Sequence, residues 1–274
     1  MRFTWATAAM LAGVLTLAGC GGGTPEEPAL CPSGTPPAAE AEPTVDELAE
    51  LVTEAITCPG YALHLRGDTA WLVVEGGNEI SVELEMEVWI DMAANVARSE
   101  TYVTGYSDEA VLALFDGIEP PDVPFLLETR IVRSDATFFR RQGDEAANRD
   151  PAQSCHGADR AALDVMISCE LLEQSVEASV ALDVIYGSEP VIALTGLGAP
   201  SNAEPPSQVH FGVYLDQGSF LPIGASFQDR VGGREWRDYD SRTIDTRWTA
   251  GFVPLETLDS GLFDPASIGY TEAE

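Results

Sequence analysis

Lysine is missing from all 274 residues. The 14 basic residues are all arginines, they face 45 acidic ones, and the formal charge is −31. A field of that sign repels phosphate backbones and anionic headgroups, which excludes nucleic acid as a partner. Histidine is nearly missing too. His64, His156 and His210 are too few and too scattered to predict a metal site, and no H-E-x-x-H occurs. Also lacking are G-x-S-x-G, a phosphate loop and a dinucleotide fingerprint, so the chain reads as a non-enzyme with no cofactor and no catalytic residue. Long apolar runs are scarce as well. The longest, Phe3 to Leu17, falls short of the ~20 residues a membrane-spanning helix needs.

The remaining chemical candidates are weak. Carboxylates are so numerous that pairs of them carry no diagnostic value, and Glu83, Glu85 and Glu87 read as the solvated face of a strand. Asp238, Asp240 and Asp245 lack the oxygen spacing of a calcium loop and enclose Arg242. His156 stands beside Cys155, but sequence neighbours seldom point at one another. His64, inside the apparent strand YALHLRG, reads as a structural histidine, and His210 has no acidic or serine partner legible in the sequence.

The N-terminus is more informative. Arg2 is a short positive region, an apolar run follows, and Leu17, Ala18 and Gly19 stand directly before Cys20. This order resembles the lipobox of bacterial lipoproteins and implies acylation of Cys20 after removal of residues 1–19. Each buried methylene of such an anchor contributes ~0.8 kcal/mol. The expected location is therefore exported and lipid-anchored, at the outer face of the cell membrane or in an outer membrane. Residues 20–43 are rich in Gly, Pro, Ala and Glu and predict a tether.

Four other cysteines, Cys31, Cys58, Cys155 and Cys169, are an even number in an exported chain, which predicts two disulfides among three pairings. Cys31 with Cys58 and Cys155 with Cys169 would each close a local loop.

Residues 44–274 read as one domain. Thr44 and Glu47 form a capping box after Pro43, and Leu48, Leu51, Val52, Ala55 and Ile56 fall on one helical stripe ended by Pro59 and Gly60. In EISVELEMEVWID (79–91), Ile80, Val82, Leu84, Met86, Val88 and Ile90 alternate with acidic or polar residues, the mark of an antiparallel strand with one dry face. GDTAWLVVEGGN before it predicts a strand and a turn, and 95–105, 110–115 and 124–133 continue a meander. Further strands are expected at 179–186, 190–196, 208–216, 221–228 and 236–248, with an exposed loop at 141–158 and a helix at 159–176. Trp71, Trp89, Trp236 and Trp248 lie on or beside strands, and either fill a core or line an apolar receptacle; strand parity is the same for both.

Three passages resemble the LolA/LolB-like lipoprotein-carrier superfamily, which includes the mycobacterial LppX/LprG-type lipid-binding lipoproteins. They are VARSETYV with ALFDG downstream (96–117), VYLDQGSFLPIGASFQD (213–229) and LFDPASIG (262–269). The matching residues are Asp116 and Gly117; Asp216, Gly218, Leu221 and Pro222; and Phe263, Asp264 and Pro265. The resemblance implies a mainly β fold with helices (α+β), a strongly curved antiparallel sheet forming a half-barrel closed by helices. It also implies a cavity for an acyl lipid or glycolipid, lined by Val82, Leu84, Met86 and Val88, by Val209, Phe211, Val213 and Leu215, and by Leu48, Val52 and Met166 from helices. A structural or sensory lipoprotein with a packed core and an envelope protein as partner is the competing expectation.

Overall fold

The computed structural model describes residues 30–32, 43–110, 121–134, 136–151, 175–198, 207–231 and 240–271. The first element, helix α1 (Val45–Ile56), starts at the expected box: Glu47 N–H donates to Thr44 Oγ1 at 3.3 Å, and Thr44 N–H donates to Glu47 Oε2 at 2.8 Å. That hydrogen bonding holds the exposed Glu47 carboxyl below its ordinary range. Eleven strands follow: β1 (Tyr61–Glu75), β2 (Asn78–Asp91), β3 (Val96–Tyr106), β4 (Phe125–Arg133), β5 (Ala136–Arg141), β6 (Asn148–Pro151), β7 (Ser175–Tyr186), β8 (Glu189–Gly198), β9 (Ser207–Asp216), β10 (Pro222–Val231) and β11 (Asp240–Pro254).

They form one antiparallel sheet, in the order β6-β5-β4-β3-β2-β1-β11-β10-β9-β8-β7. The sheet is open. Two meanders, β1 to β6 and β7 to β11, meet along the β1–β11 ladder, so the first and last strands sit at the centre and β6 and β7 are the edges. Turn chemistry explains the tight connections. Gly76 and Gly77 take positive φ between β1 and β2, and after β9 the Asp216 carboxylate accepts from the N–H groups of Gly218 and Ser219 at 3.1 and 2.7 Å.

Strand register sorts the side chains onto two faces. On one, Leu63 lies between Ile90 and Phe252, Leu65 between Val88 and Ala250, and Trp71 between Val82 and Ile244. The other carries His64 beside Trp89 and Arg66 beside Glu87, with Arg66 Nε 3.0 Å from Glu87 Oε1. The C-terminal segment covers part of this polar face: Arg98 donates to the Leu262 carbonyl at 2.8 Å, Arg133 to that of Phe263 at 2.8 Å, and Tyr270 packs edge-on against Phe138. Within it, Asp264 caps the short 3₁₀ turn Pro265–Ile268.

Several elements depart from the sequence reading. The expected loop at 141–158 contains β6, whose Asn148 and Pro151 pair with Phe139 and Ala136 of β5. It is a polar edge strand, and polar edges lack the alternation that marks a strand. Ser175 and Val176 open β7 instead of ending a helix, and the rest of the expected helix lies outside the described residues. Of the expected strand 110–115 only Ala110 is described, and it is helical together with Asp108 and Glu109, its N–H donating to the Ser107 carbonyl at 3.0 Å. β11 starts at Asp240 and runs on to Pro254. Of the helices expected to close a half-barrel, α1 is described.

Candidate functional site

The apolar face divides into two clusters along the length of the central strands. In the first, Leu48, Val52 and Ile56 of α1 pack onto Leu63, Leu65, Val88 and Ile90 and onto residues of β8, β9 and β11. Fully burying side chains of this size stabilises by about 1.5–3 kcal/mol each. The second cluster lies toward the far ends of β1 and β2. Val82, Leu84, Val103 and Ala110 are buried there, with Trp71, Ile80, Tyr106, Phe125 and Leu127 half-buried around them. Between the clusters Thr69 and Thr246 are buried and hydrogen-bonded to each other at 3.1 Å, a polar waist on an otherwise dry face.

The division follows from where α1 sits: it packs across several strands, from β7 to β1 and β2, and the Val82 cluster lies outside that packing. Local packing is tight in the first cluster: a Cβ on Gly67 would stand 2.5 Å from the Trp248 ring, so β1 requires glycine there.

Two polar features belong to this face. The indole nitrogens of Trp71 and Trp248 are buried with no hydrogen-bond partner among the described residues. On β4 and β5, Glu128 Oε1 accepts from Arg130 Nη2 and Oε2 from Arg141 Nε, both at 2.8 Å. The register of Ser99 with Arg130 and of Thr101 with Glu128 puts this ion-paired cluster at the flank of the apolar face.

The chain is similar to solved LolA superfamily structures. They include the LolA superfamily protein NE2245 from Nitrosomonas europaea, at 8% identity, TM-score 0.30, covering 74% of this chain and 91% of that one. LprF from Mycobacterium bovis matches at 8% identity, TM-score 0.32, covering 78% and 93%. A domain assigned to outer membrane lipoprotein sorting from Vibrio parahaemolyticus matches at 9% identity, TM-score 0.37, covering 81% and 97%. No protein-family model and no curated protein matches the chain. At these identities and TM-scores, function has to be read from the chain's own geometry.

That geometry distributes the expected lining residues as follows. Leu48, Val52, Val88, Phe211, Val213 and Leu215 are buried in the α1 cluster and Met86 packs against it; Val82 and Leu84 belong to the second cluster. Val209 shares the face at half-burial, through its register with Asp229, while Met166 lies outside the described residues. Cys31 and Cys58 form the expected disulfide, clamping residue 31 to the segment between α1 and β1. Cys20, Cys155 and Cys169 lie outside the described residues. No group of three His, Cys, Asp or Glu among the described residues is placed to hold a metal. His64 stacks on Trp89 at 5.1 Å, and its burial lowers its pKa against the opposing pull of Glu87.

Sequence reasoning missed the Glu128 cluster, the Thr69–Thr246 waist and the coupling of Tyr186 to Asp245. Tyr186 Oη donates to Asp245 Oδ1 at 2.9 Å across 59 residues of sequence, and no local pattern announces such a pair. Burial first, then the Asp245 charge, pushes the Tyr186 phenol well above its ordinary value. The Asp245 carboxyl is raised by burial against the lowering hydrogen bond from Tyr186, which ties it to the end of β7, while Asp238 of the acidic cluster weighed above lies outside the described residues.

Proposed function

We propose that this protein is an exported lipoprotein, anchored through Cys20, that binds or shuttles a hydrophobic ligand of the acyl-lipid class on the apolar face of its sheet. One observation carries the reading. Outside the residues packed under α1, a half-buried rim of Trp71, Ile80, Phe125 and Leu127 surrounds Val82 and Leu84. Apolar walls with a few polar groups are what small-molecule sites are made of. The Trp71 indole N–H offers a donor to a carbonyl at the polar end of such a ligand.

The competing reading, a packed envelope lipoprotein that binds another protein, is favoured by the near-zero exposure of Leu63, Leu65, Val88 and Val213 under α1. Native mass spectrometry of the exported chain, before and after organic extraction, separates the two. Bound acyl species that extraction removes and incubation with phosphatidylglycerol vesicles restores support the carrier. A clean apo mass that persists after that incubation refutes it. In the same preparation Cys20→Ser moves the protein to the soluble exported fraction if the anchor is correct.

A further inference from the structure

The polar face of β7 to β11 holds a cavity of about 820 Å³, within the range of small-molecule sites. It lies across the sheet from the apolar clusters. Register places Thr195 beside Gly212, His210 beside Gln228 and Ser226 beside Asp245, all on one face, while Phe211, Phe227 and Ile244 at the intervening positions point to the other. The β7–β8 hairpin closes one end. Its Tyr186 ring lies flat on Gly224, where a Cβ would stand 2.4 Å away, and stacks on Tyr214 with ring centroids 4.1 Å apart. The Tyr186 hydroxyl is shared between Asp245 Oδ1 and the Thr246 carbonyl at 2.9 and 3.0 Å, which fixes the hairpin tip over β11.

The lining is mixed: hydroxyls, the Gln228 amide, the His210 imidazole and two carboxylates stand beside apolar groups such as Leu197. Ser179 and Thr195 stand 3.4 Å apart, Tyr214 and Ser226 3.0 Å, and Gln228 Nε2 is 3.5 Å from Thr243 Oγ1. Each hydroxyl carries one donor and two acceptor sites, and each of these contacts uses one of them, so unspent capacity of both kinds faces the cavity. Glu177 and Asp245 turn away anions. An acyl chain would strip water from these hydroxyls and return nothing. A neutral ligand dense in hydroxyl groups exchanges water's hydrogen bonds for equivalent ones, and its apolar ring faces match a tyrosine end wall.

From this geometry we propose that the cavity between β7 and β11 is a binding site for a neutral saccharide, its hydroxyls read by Ser179, Thr195, Gln228 and Thr243 and its end packed against the Tyr186–Tyr214 pair. Phe211, Phe227 and Ile244 border the cavity although register turns them to the opposite face; the hydrogen-bonding groups that define the site belong to the polar face, and the proposal does not rest on the lipid reading.

Saturation-transfer NMR on the full exported chain tests it. The probes are maltotetraose, cellotetraose, mannotetraose and chitotetraose at about 1 mM, a concentration suited to weak sites, and a neutral diacylglycerol glycoside in detergent micelles. Signal from a free tetrasaccharide identifies a glycan-chain ligand, and signal from the glycoside's sugar alone identifies a lipid headgroup. In either arm Thr195→Val with Gln228→Leu weakens binding about tenfold or more, given the loss of two hydrogen-bonding groups, and in the free-tetrasaccharide arm Trp71→Phe on the opposite face leaves it unchanged. Melting curves confirm that both variants are folded. Silence from every probe, transfer that survives the double substitution, or glycoside binding abolished by Trp71→Phe alone overturns the proposal.

Discussion

Truncating one leucine of α1 and one in the far cluster discriminates a filled face from a receptive one. Leu48 and Leu84 are both buried, at 1% and 8% exposure, in different clusters of the same face. In Leu48→Ala the three lost carbons remove roughly 2.4 kcal/mol of transfer free energy at ~0.8 kcal/mol each. The hole left against Leu63, Val88 and Trp248 adds about 24 cal/mol per Å³ that does not collapse. The total is about 4–5 kcal/mol, and at 2–4 °C per kcal/mol the melting temperature falls by about 8–20 °C. If the region around Leu84 is built to receive a ligand, the delipidated protein has less packing to lose there, and Leu84→Ala costs only the transfer part, about 2 kcal/mol. Urea titrations of the two extracted variants against the parent give both numbers. Equal costs near 4–5 kcal/mol would show that the far cluster is packed as tightly as the near one, and would refute the receptacle.

Two further outcomes are expected. Opening the Cys31–Cys58 bridge, which spans 27 residues, by Cys58→Ser or by reductant lowers stability by about 3.5 kcal/mol on the loop-entropy relation; an unchanged urea midpoint would show that residues 31–58 are held by other contacts. Asp245 keeps its proton in the fold to higher pH than when unfolded, because burial raises its pKa. Its contribution is therefore fully present below 3.8 and declines as pH rises through the raised folded value. Asp245→Asn keeps an oxygen for Tyr186 and removes the charge, so its melting temperature gains on the parent as pH climbs from below 3.8 and then levels off; a difference that is flat or falls with pH contradicts this linkage.

The elements legible in the sequence are those whose signal is local. β2 announced itself because six apolar residues alternate without a break, α1 because Thr44 and Glu47 bracket its first turn, and the β9–β10 connection because Asp216 can satisfy the N–H groups that follow it. β5 and β6 escaped for the opposite reason. ATFFRR carries its aromatics as a doublet, and NRDP is an edge strand whose residues answer to solvent. On the site, parity located the apolar face but could not reveal which of its residues α1 covers, since that is decided only once the strands are paired. The glycine at 67 is unremarkable until Trp248, 181 positions later, is laid against it. The polar cavity was illegible because it needs the end of β7 to cross to β11, a contact between segments that share no sequence neighbourhood.

The bridge between Cys31 and Cys58 also sets a leash. From Cys20 to Cys31 there are 11 residues, which even fully drawn out reach at most ~40 Å, about half of what the chain from Cys20 to Thr44 would allow if the bridge were open. The leash is fastened where α1 ends and β1 begins, since Tyr61 N–H donates to the Cys58 carbonyl at 3.0 Å. A protein moored by Cys20 would then keep the α1 end of its strands nearest the bilayer. The cluster around Trp71 and Val82 would stand about 26 Å farther along β1, at 3.3 Å for each of the eight residues from Leu63 to Trp71. Under the proposed anchoring, a cargo taken up there would be handed over at a distance from the membrane, and reduction of the Cys31–Cys58 bridge would lengthen the reach.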